Sequence, residues 1–345
     1  VNIDNETAHS DYVPVAVVTR AGLVESTHHG VAVAAHSSGD IIAAWGNPAH
    51  LTFPRSSLKP FQAIGLVETG AADAFGLESE ELALSCASHR GEHIHDSRVR
   101  AWLNRLALDE TALVCGPDYP TDEASAHDQI RAGHGKSRVW HNCSGKHCGF
   151  LTFARHIGAP QQGYDDPAHA CQRYYVEALS EFLQFSADEL TWGADGCALP
   201  APAMRMSDAA LALARLGARE TASPMRKTAI QRLLDAMRAH PRLVSGTRTI
   251  NEFMITATNG EVLVKTGAEG YIVAIAPGRG LGLAVKVADG TSRARVAVLI
   301  EALRQLGVLS DGVAEDLAAQ AVPPVCNSVG DVVGAVRVCL GPAQR

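Results

Sequence analysis

The chain has 345 residues, 46% hydrophobic and 19% charged, the composition of a soluble globular protein with a sizeable core. Its formal net charge is -7 and no long block of like charges appears, which argues against a nucleic-acid or anionic-membrane binder and for a small-molecule partner. No stretch approaches the roughly 18 uninterrupted apolar residues of a membrane span.

Residues 1–12 are polar and expected to form a flexible tail without the basic start and apolar run of a secretory signal, so the expected location is cytoplasmic. After them, "VPVAVVTRAG", "GVAVAAHSSG" and "IIAAWGN" are short apolar runs separated by Gly, Ser and Asp, and read as two or three antiparallel strands. From about residue 60 to 245 the period changes. "PFQAIGLVETGAADAFG", "SRVRAWLNRLAL", "DPAHACQRYYVEALSEFLQF", "PAPAMRMSDAALALARLG" and "SPMRKTAIQRLLDAMRAHP" carry apolar residues at helical spacing between Ser, Asp or Pro starts and Gly or Pro stops. "EVLVKTGAEGYIVAIAPGRGLGLAVKVADG" then returns to strands around "PGRG", followed by the amphipathic helix "TSRARVAVLIEALRQLG". Strands from both ends with helices between them predict one α/β domain over residues 13–340. Its single antiparallel sheet is built from both termini and its middle region is mainly helical.

Eight cysteines stand at 86, 115, 143, 148, 171, 197, 326 and 339, in no spacing typical of a disulfide scaffold, so most are expected to be free thiols and a few to be ligands. In "FPRSSLKPFQA", Ser56 and Lys59 are three apart, one turn along a helix. A serine hydroxyl is a weak nucleophile until a base takes its proton, and a neutral lysine amine can be that base. The structural alternative is that Ser56 or Ser57 caps a helix whose first turn tolerates Pro60. Lys265-Thr266-Gly267 lies on a predicted strand, and S-x-x-K at a helix start with K-T-G on a strand is the pairing of serine β-lactamases and penicillin-binding proteins. The alternative for Lys265 is an exposed strand lysine.

The third motif of that superfamily, S-D-N, is absent; "LSCASHRGE" offers Ser88 instead, as a second hydroxyl served by Lys265 or as a helix N-cap. In "WHNCSGKHCGF", Cys143, Lys146, His147 and Cys148 crowd together, and Cys197 of "GADGCALPAP" is a further candidate to join them. Thiolates and imidazoles suit zinc, although C-x-x-K is no standard zinc spacing, and buried reduced cysteines are the alternative. His93-x-His95 and His28-His29 are expected at the surface.

Together "RSSLKPFQA", "CASHRGEH", "HNCSGKHCGF", "DGCALP", "KTGAEG" and "KVADG", in this order, resemble the rhizobial-type L-asparaginases, the asparaginase II family, over roughly residues 13 to 340. The resemblance implies a serine β-lactamase-like fold and hydrolysis of the L-asparagine side-chain amide to aspartate and ammonia. It suggests two serine-lysine pairs: Ser56 as nucleophile with Lys59 as base, and Ser88 with Lys265 to polarise the site or relay protons. It also implies zinc bound by Cys143, Lys146 and Cys197, with His147 and Asp195 close by, and a homodimer. The substrate's α-carboxylate calls for a cation such as Arg55, and its α-ammonium for a carboxylate such as Asp195 or Glu269. The family pattern "DGCGxP" has glycine where this chain has Ala198. Two other functions remain: a serine β-lactamase or peptidase of the same fold, and a catalytically silent amino-acid-binding member.

Overall fold

The computed structural model describes residues 11–344; the expected flexible tail, 1–12, lies up to position 10 outside the described residues. The chain gathers into two compact units, one of Val1–Ser57, Ala203–Ala218 and Phe253–Arg345, the other of Leu58–Pro202 and Arg219–Glu252.

Among the described residues the strands are, in chain order, β1 (Val13–Arg20), β2 (Leu23–His36), β3 (Ile41–Trp45), β4 (Leu51–Thr52), β5 (Thr191–Ala194) and β6 (Pro200–Arg205). They continue with β7 (Leu263–Thr266), β8 (Tyr271–Ala276), β9 (Leu281–Val287), β10 (Val325–Cys326) and β11 (Val332–Val338). The first unit is organised by an antiparallel sheet of order β10-β11-β1-β2-β9-β8-β7, with β3 added to β2, so the sheet is indeed assembled from both chain ends. Strands β8 and β9 are buried along their whole length, which is why their sequences run apolar without alternation. The helix Met206–Ala218 packs on β2, β8 and β9, and the helix Arg295–Gln305 on β1, β8, β9 and β11.

Two details differ from the sequence reading. "PAPAMRMSDAALALARLG" begins as strand β6 and becomes helical only at Met206. Pro200 and Pro202 have no amide hydrogen to give a helix, and Met204 and Arg205 pair instead with Thr52 and Leu51 of β4. Strand β11 was not anticipated, because "VVGAVRV" takes its order from pairing with β1 at the far end of the sequence, and no local pattern announces that partner.

The second unit is helical, as expected of the middle region. Its centre is the helix Ser144–His156, buried continuously from Ser144 to Ala154 and packed against helices Ile64–Glu68, Ala71–Ala74, Ser79–Ser85, His93–Arg105 and Ala170–Leu183. A helix closed in on all sides should be apolar all round. This one carries Ser144, Lys146 and His147 inward, and such groups must find partners inside the protein. No helix among the described residues is long and apolar enough to cross a membrane.

Candidate active site

In the second unit, Lys59 opens the short helix Lys59–Gln62 and is fully buried. Its amine donates to the Ala87 carbonyl and, at 3.0 Å, to Ser88 Oγ. The lysine paired in sequence with Ser56 is thus hydrogen-bonded to the second candidate serine. The capping alternatives fail: Leu58 is the N-cap of this helix, with no side-chain cap, and the Ser57 hydroxyl donates back to the Pro54 carbonyl at 2.8 Å. Ser88 caps no helix either; the next one, His93–Arg105, has Glu92 at its N-cap, and the Ser88 amide donates to Val244 O.

Cys143, Lys146 and Cys197 converge. Cys143 is the N-cap of Ser144–His156, where the helix N-terminus favours a thiolate, and Lys146 Nζ donates to Cys197 Sγ at 2.9 Å. The Cys143 thiol is held well below its ordinary range, first by the S–H that Cys197 donates to it, against its burial, and then by the Lys59 and Lys146 cations. Cys197 is pushed up, first by giving that bond and then by burial. For Lys146 burial opposes the charge, but Cys197, Cys143 and Asp195 outweigh it and hold the ammonium above its usual range. A 3.0 Å bond from Cys143 Sγ to Asn142 Oδ1 belongs to the thiol form. The facing cations and helix N-terminus favour the thiolate instead.

His147 is fully buried and neutral, its pKa driven well down, first by burial and then by Lys146. The Val114 amide donates to the Tyr164 hydroxyl at 3.0 Å, and that oxygen lies 2.6 Å from His147 Nδ1. The Tyr164 hydroxyl and His147 Nδ1 are both satisfied when the tyrosine donates to Nδ1, which puts the imidazole proton on Nε2. That Nε2 is buried and has no hydrogen-bond partner among the described residues. Two sulphurs and a lysine nitrogen make a soft N and S donor set of the kind zinc takes, provided the amine gives up its proton. No set of three or more His, Cys, Asp or Glu side chains that could hold a metal occurs among the described residues, so a zinc site here depends on Lys146.

Asp195 is half-buried and accepts its own turn's Gly196 amide at 2.7 Å on Oδ1. Within that turn Ala198 has φ +74, a left-handed conformation that glycine adopts freely and alanine only at a cost. Glycine at this place would carry no such cost. Ala198 is exposed, so no packing offsets the strain. Ala198→Gly is expected to stabilise the protein by about 1 kcal/mol in urea unfolding; unchanged or lower stability would count against the assignment.

Next to Ser88, His89 is buried, with the ring of His95 stacked on it at 4.8 Å. The Ser144 hydroxyl donates to Val139 O and the Gly91 amide to His89 Nδ1, so His89 Nε2 carries the proton and donates to Ser144 Oγ at 2.8 Å. His95, expected at the surface, is fully buried and bonds the Arg242 carbonyl through Nε2; His28, also expected outside, is buried against Asp289. Burial is the first cause that lowers both the His89 and His95 pKa values. Their contribution to stability is therefore complete above the unfolded value of 6.5 and is lost as pH falls below it. From about pH 6.5 downward stability should therefore fall progressively, with His89 and His95 both contributing. Urea midpoints at pH 7.5 and 5.5 check this, and a flat profile would refute it.

In the first unit, the turn Arg55–Leu58 carries Arg55, Ser56 and Ser57, with Arg55 at φ +55. Strand β7 places Lys265 almost fully inside, 1% exposed, with its amine donating to Thr266 O at 2.8 Å, so it is no exposed strand lysine. A Cβ on Gly267 would lie 2.7 Å from the Pro54 carbonyl, so the glycine of K-T-G lets the strand end touch the turn that bears Ser56. Arg295 Nη1 donates to the Gly267 carbonyl at 2.8 Å and fixes that contact from behind. Glu269 follows in the β7 to β8 turn at φ +54, with its carboxylate exposed. Arg55 and Glu269, two residues expected to hold substrate, both adopt the left-handed backbone that tends to cluster at functional sites. Sequence reasoning missed Tyr164, Arg295 and Lys286. Of these only Lys286 carried a signal, a charged residue inside the apolar run "LGLAVKV".

A family model of L-asparaginase II matches residues 16–338. No curated protein matches the chain. Among solved structures, Mglu in its native form with 4.3 M NaCl aligns at 12% identity over 81% of this chain and 61% of that one, with TM-score 0.47. This chain thus spans about three fifths of that protein's length. A β-lactamase from Mycobacterium bovis aligns at 14% identity over 84% of this chain and 94% of the other, TM-score 0.40. A class C β-lactamase from Rhodobacter sphaeroides aligns at 16% over 79% and 94%, TM-score 0.40. With nearly its whole length matched by the family model, the chain belongs to the L-asparaginase II family.

Proposed function

We propose that the protein hydrolyses the side-chain amide of L-asparagine to L-aspartate and ammonia, through an acyl-enzyme on a serine that Lys59 activates. One observation supports this above the others: a buried lysine amine, without a carboxylate partner among the described residues, lies 3.0 Å from the Ser88 hydroxyl and three residues after Ser56. A lysine amine within hydrogen-bond reach of a serine hydroxyl can take its proton.

In this reading Ser56 Oγ attacks the carboxamide carbon while Lys59 takes the hydroxyl proton. The C–N bond breaks as the same proton passes to the leaving nitrogen, and water then attacks the ester to release aspartate. Ser88 and Lys265 polarise the site or relay protons. Arg55 receives the α-carboxylate and Glu269 or Asp195 the α-ammonium, while the His147 Nε2–H is an available donor to a substrate oxygen. Cys143, Lys146 and Cys197 would hold zinc, which when bound supplies a fixed positive charge. A homodimer in the cytoplasm belongs to the same proposal. The Lys59 to Ser88 bond supports a second reading, in which Ser88 is the nucleophile.

Ammonia release from L-asparagine, L-glutamine and buffer, with and without added zinc, tests the activity; nitrocefin turnover instead would make the protein a β-lactamase. Cys143→Ser and Cys197→Ser are each expected to lose bound zinc by metal analysis. Unchanged zinc content would eliminate that site.

A further inference from the structure

The segment "KVADG", residues 286–290, has no part in the chemistry above, yet its residues converge on one turn in the first unit. Lys286 is the last but one residue of β9, opposite Tyr271 of β8, in a strand with every residue buried. An ammonium in such a place loses its hydration, and burial lowers the Lys286 pKa against the opposing pull of Glu269 and Asp289. No carboxylate among the described residues takes its protons. The amine donates to the Glu269 carbonyl at 2.6 Å and to the Val287 carbonyl at 2.9 Å.

The other residues of the segment act on the same turn. The Val287 amide donates to Gly270 O at 3.1 Å. Asp289 accepts the Thr291 amide at 2.9 Å on one oxygen and bonds His28 with the other, which fixes the bend that carries Gly290. A Cβ on Gly290 would lie 2.6 Å from Glu269 Oε2, so the Glu269 carboxylate rests directly on this glycine. That carboxylate is exposed and makes no hydrogen bond or ion pair of its own among the described residues. A left-handed glutamate is strained, and a buried lysine is costly if left unpaired. Here each cost offsets part of the other, because the Lys286 amine bonds the backbone carbonyl of the left-handed Glu269.

We propose that Lys286 is a positioning residue, which locks the left-handed Glu269 backbone so that its carboxylate stands on Gly290 ready to take the α-ammonium group of an amino-acid ligand. This rests on the reading of the substrate as an α-amino acid and assigns its ammonium to Glu269 rather than Asp195.

Binding of L-aspartate, the expected product, and of succinate, which lacks the ammonium, separates the possibilities by calorimetry. Glu269→Gln and Lys286→Met are each expected to weaken L-aspartate about tenfold, as for loss of a charge-assisted bond, and to leave succinate unchanged. The double variant should be no weaker than Glu269→Gln alone, because Lys286 acts through Glu269. Gly290→Ala, which places a methyl on the carboxylate, should give the same pattern and decides the matter if Lys286→Met does not fold. Additive losses, equal loss of succinate, or wild-type protein that binds both ligands alike would overturn the proposal. Wild-type protein that shows the expected binding pattern but releases no ammonia from asparagine would leave this inference standing and remove the proposed reaction.

Discussion

Lys59→Met is expected to lower ammonia release by about 10²–10⁴-fold, the usual worth of a general base, or about 3–5 kcal/mol of transition-state stabilisation. Methionine keeps the length and apolar stem of lysine but has no proton to exchange. What is lost is the amine between the Ala87 carbonyl and the Ser88 hydroxyl. Stability should move little by comparison. Removing a buried polar amine relieves its desolvation, while the two oxygens lose a donor, a cost of about 1–3 kcal/mol that Ser88 moderates because it is only half-buried. The diagnostic is therefore a large fall in kcat with a small change in urea midpoint. A variant that keeps more than a tenth of the wild-type rate would exclude Lys59 as the base.

Much of this arrangement was legible in the residues, and where it was not the reason is physical. The sheet from both chain ends followed from short β-branched or alternating apolar runs bounded by turn residues before and after the helical middle, since such runs announce strands before their partners are known. Strand β11 and the strand start of "PAPAMR" did not follow, because pairing between distant segments decides them. The lysines at 59 and 265 were legible as chemistry, and both prove buried rather than exposed. Their bonds were not legible. The i to i+3 rule joined Lys59 to Ser56, whereas burial turned the amine toward the chain end that follows the helix Ser79–Ser85, where Ala87 O and Ser88 Oγ stand. Histidines 28 and 95 were misplaced for a related reason: a neutral imidazole with a carbonyl or carboxylate partner tolerates the interior, and sequence does not name that partner.

Ala198 shows the converse. The departure from "DGCGxP" was visible as one extra methyl, but its consequence lies in the backbone angle rather than in packing against Cys197. Gly267 and Gly290 carry the same lesson in a stronger form. Each marks a place where another group comes within 2.7 Å of a missing side chain, Pro54 O in one case and Glu269 Oε2 in the other. Glycines in "KTGAEG" and "KVADG" thus define the turns that present Ser56 and Glu269.

Ser56→Ala is expected to abolish ammonia release, with a loss of about 10⁴-fold or more, since no acyl-enzyme forms without the attacking oxygen. The fold should be indifferent to it. The Ser56 hydroxyl makes no hydrogen bond among the described residues, and the turn is held by the Ser57 amide and hydroxyl on Pro54 O. Ser88→Ala gives the contrast. It removes one of the two acceptors of the Lys59 amine, so as a relay it should cost less, about 10–10³-fold. Trapping the acyl-enzyme by acid quench and finding its mass on the peptide bearing Ser56 would confirm the order. An ester on Ser88, together with a larger loss in Ser88→Ala than in Ser56→Ala, would reverse it and make the hydroxyl already bonded to Lys59 the nucleophile.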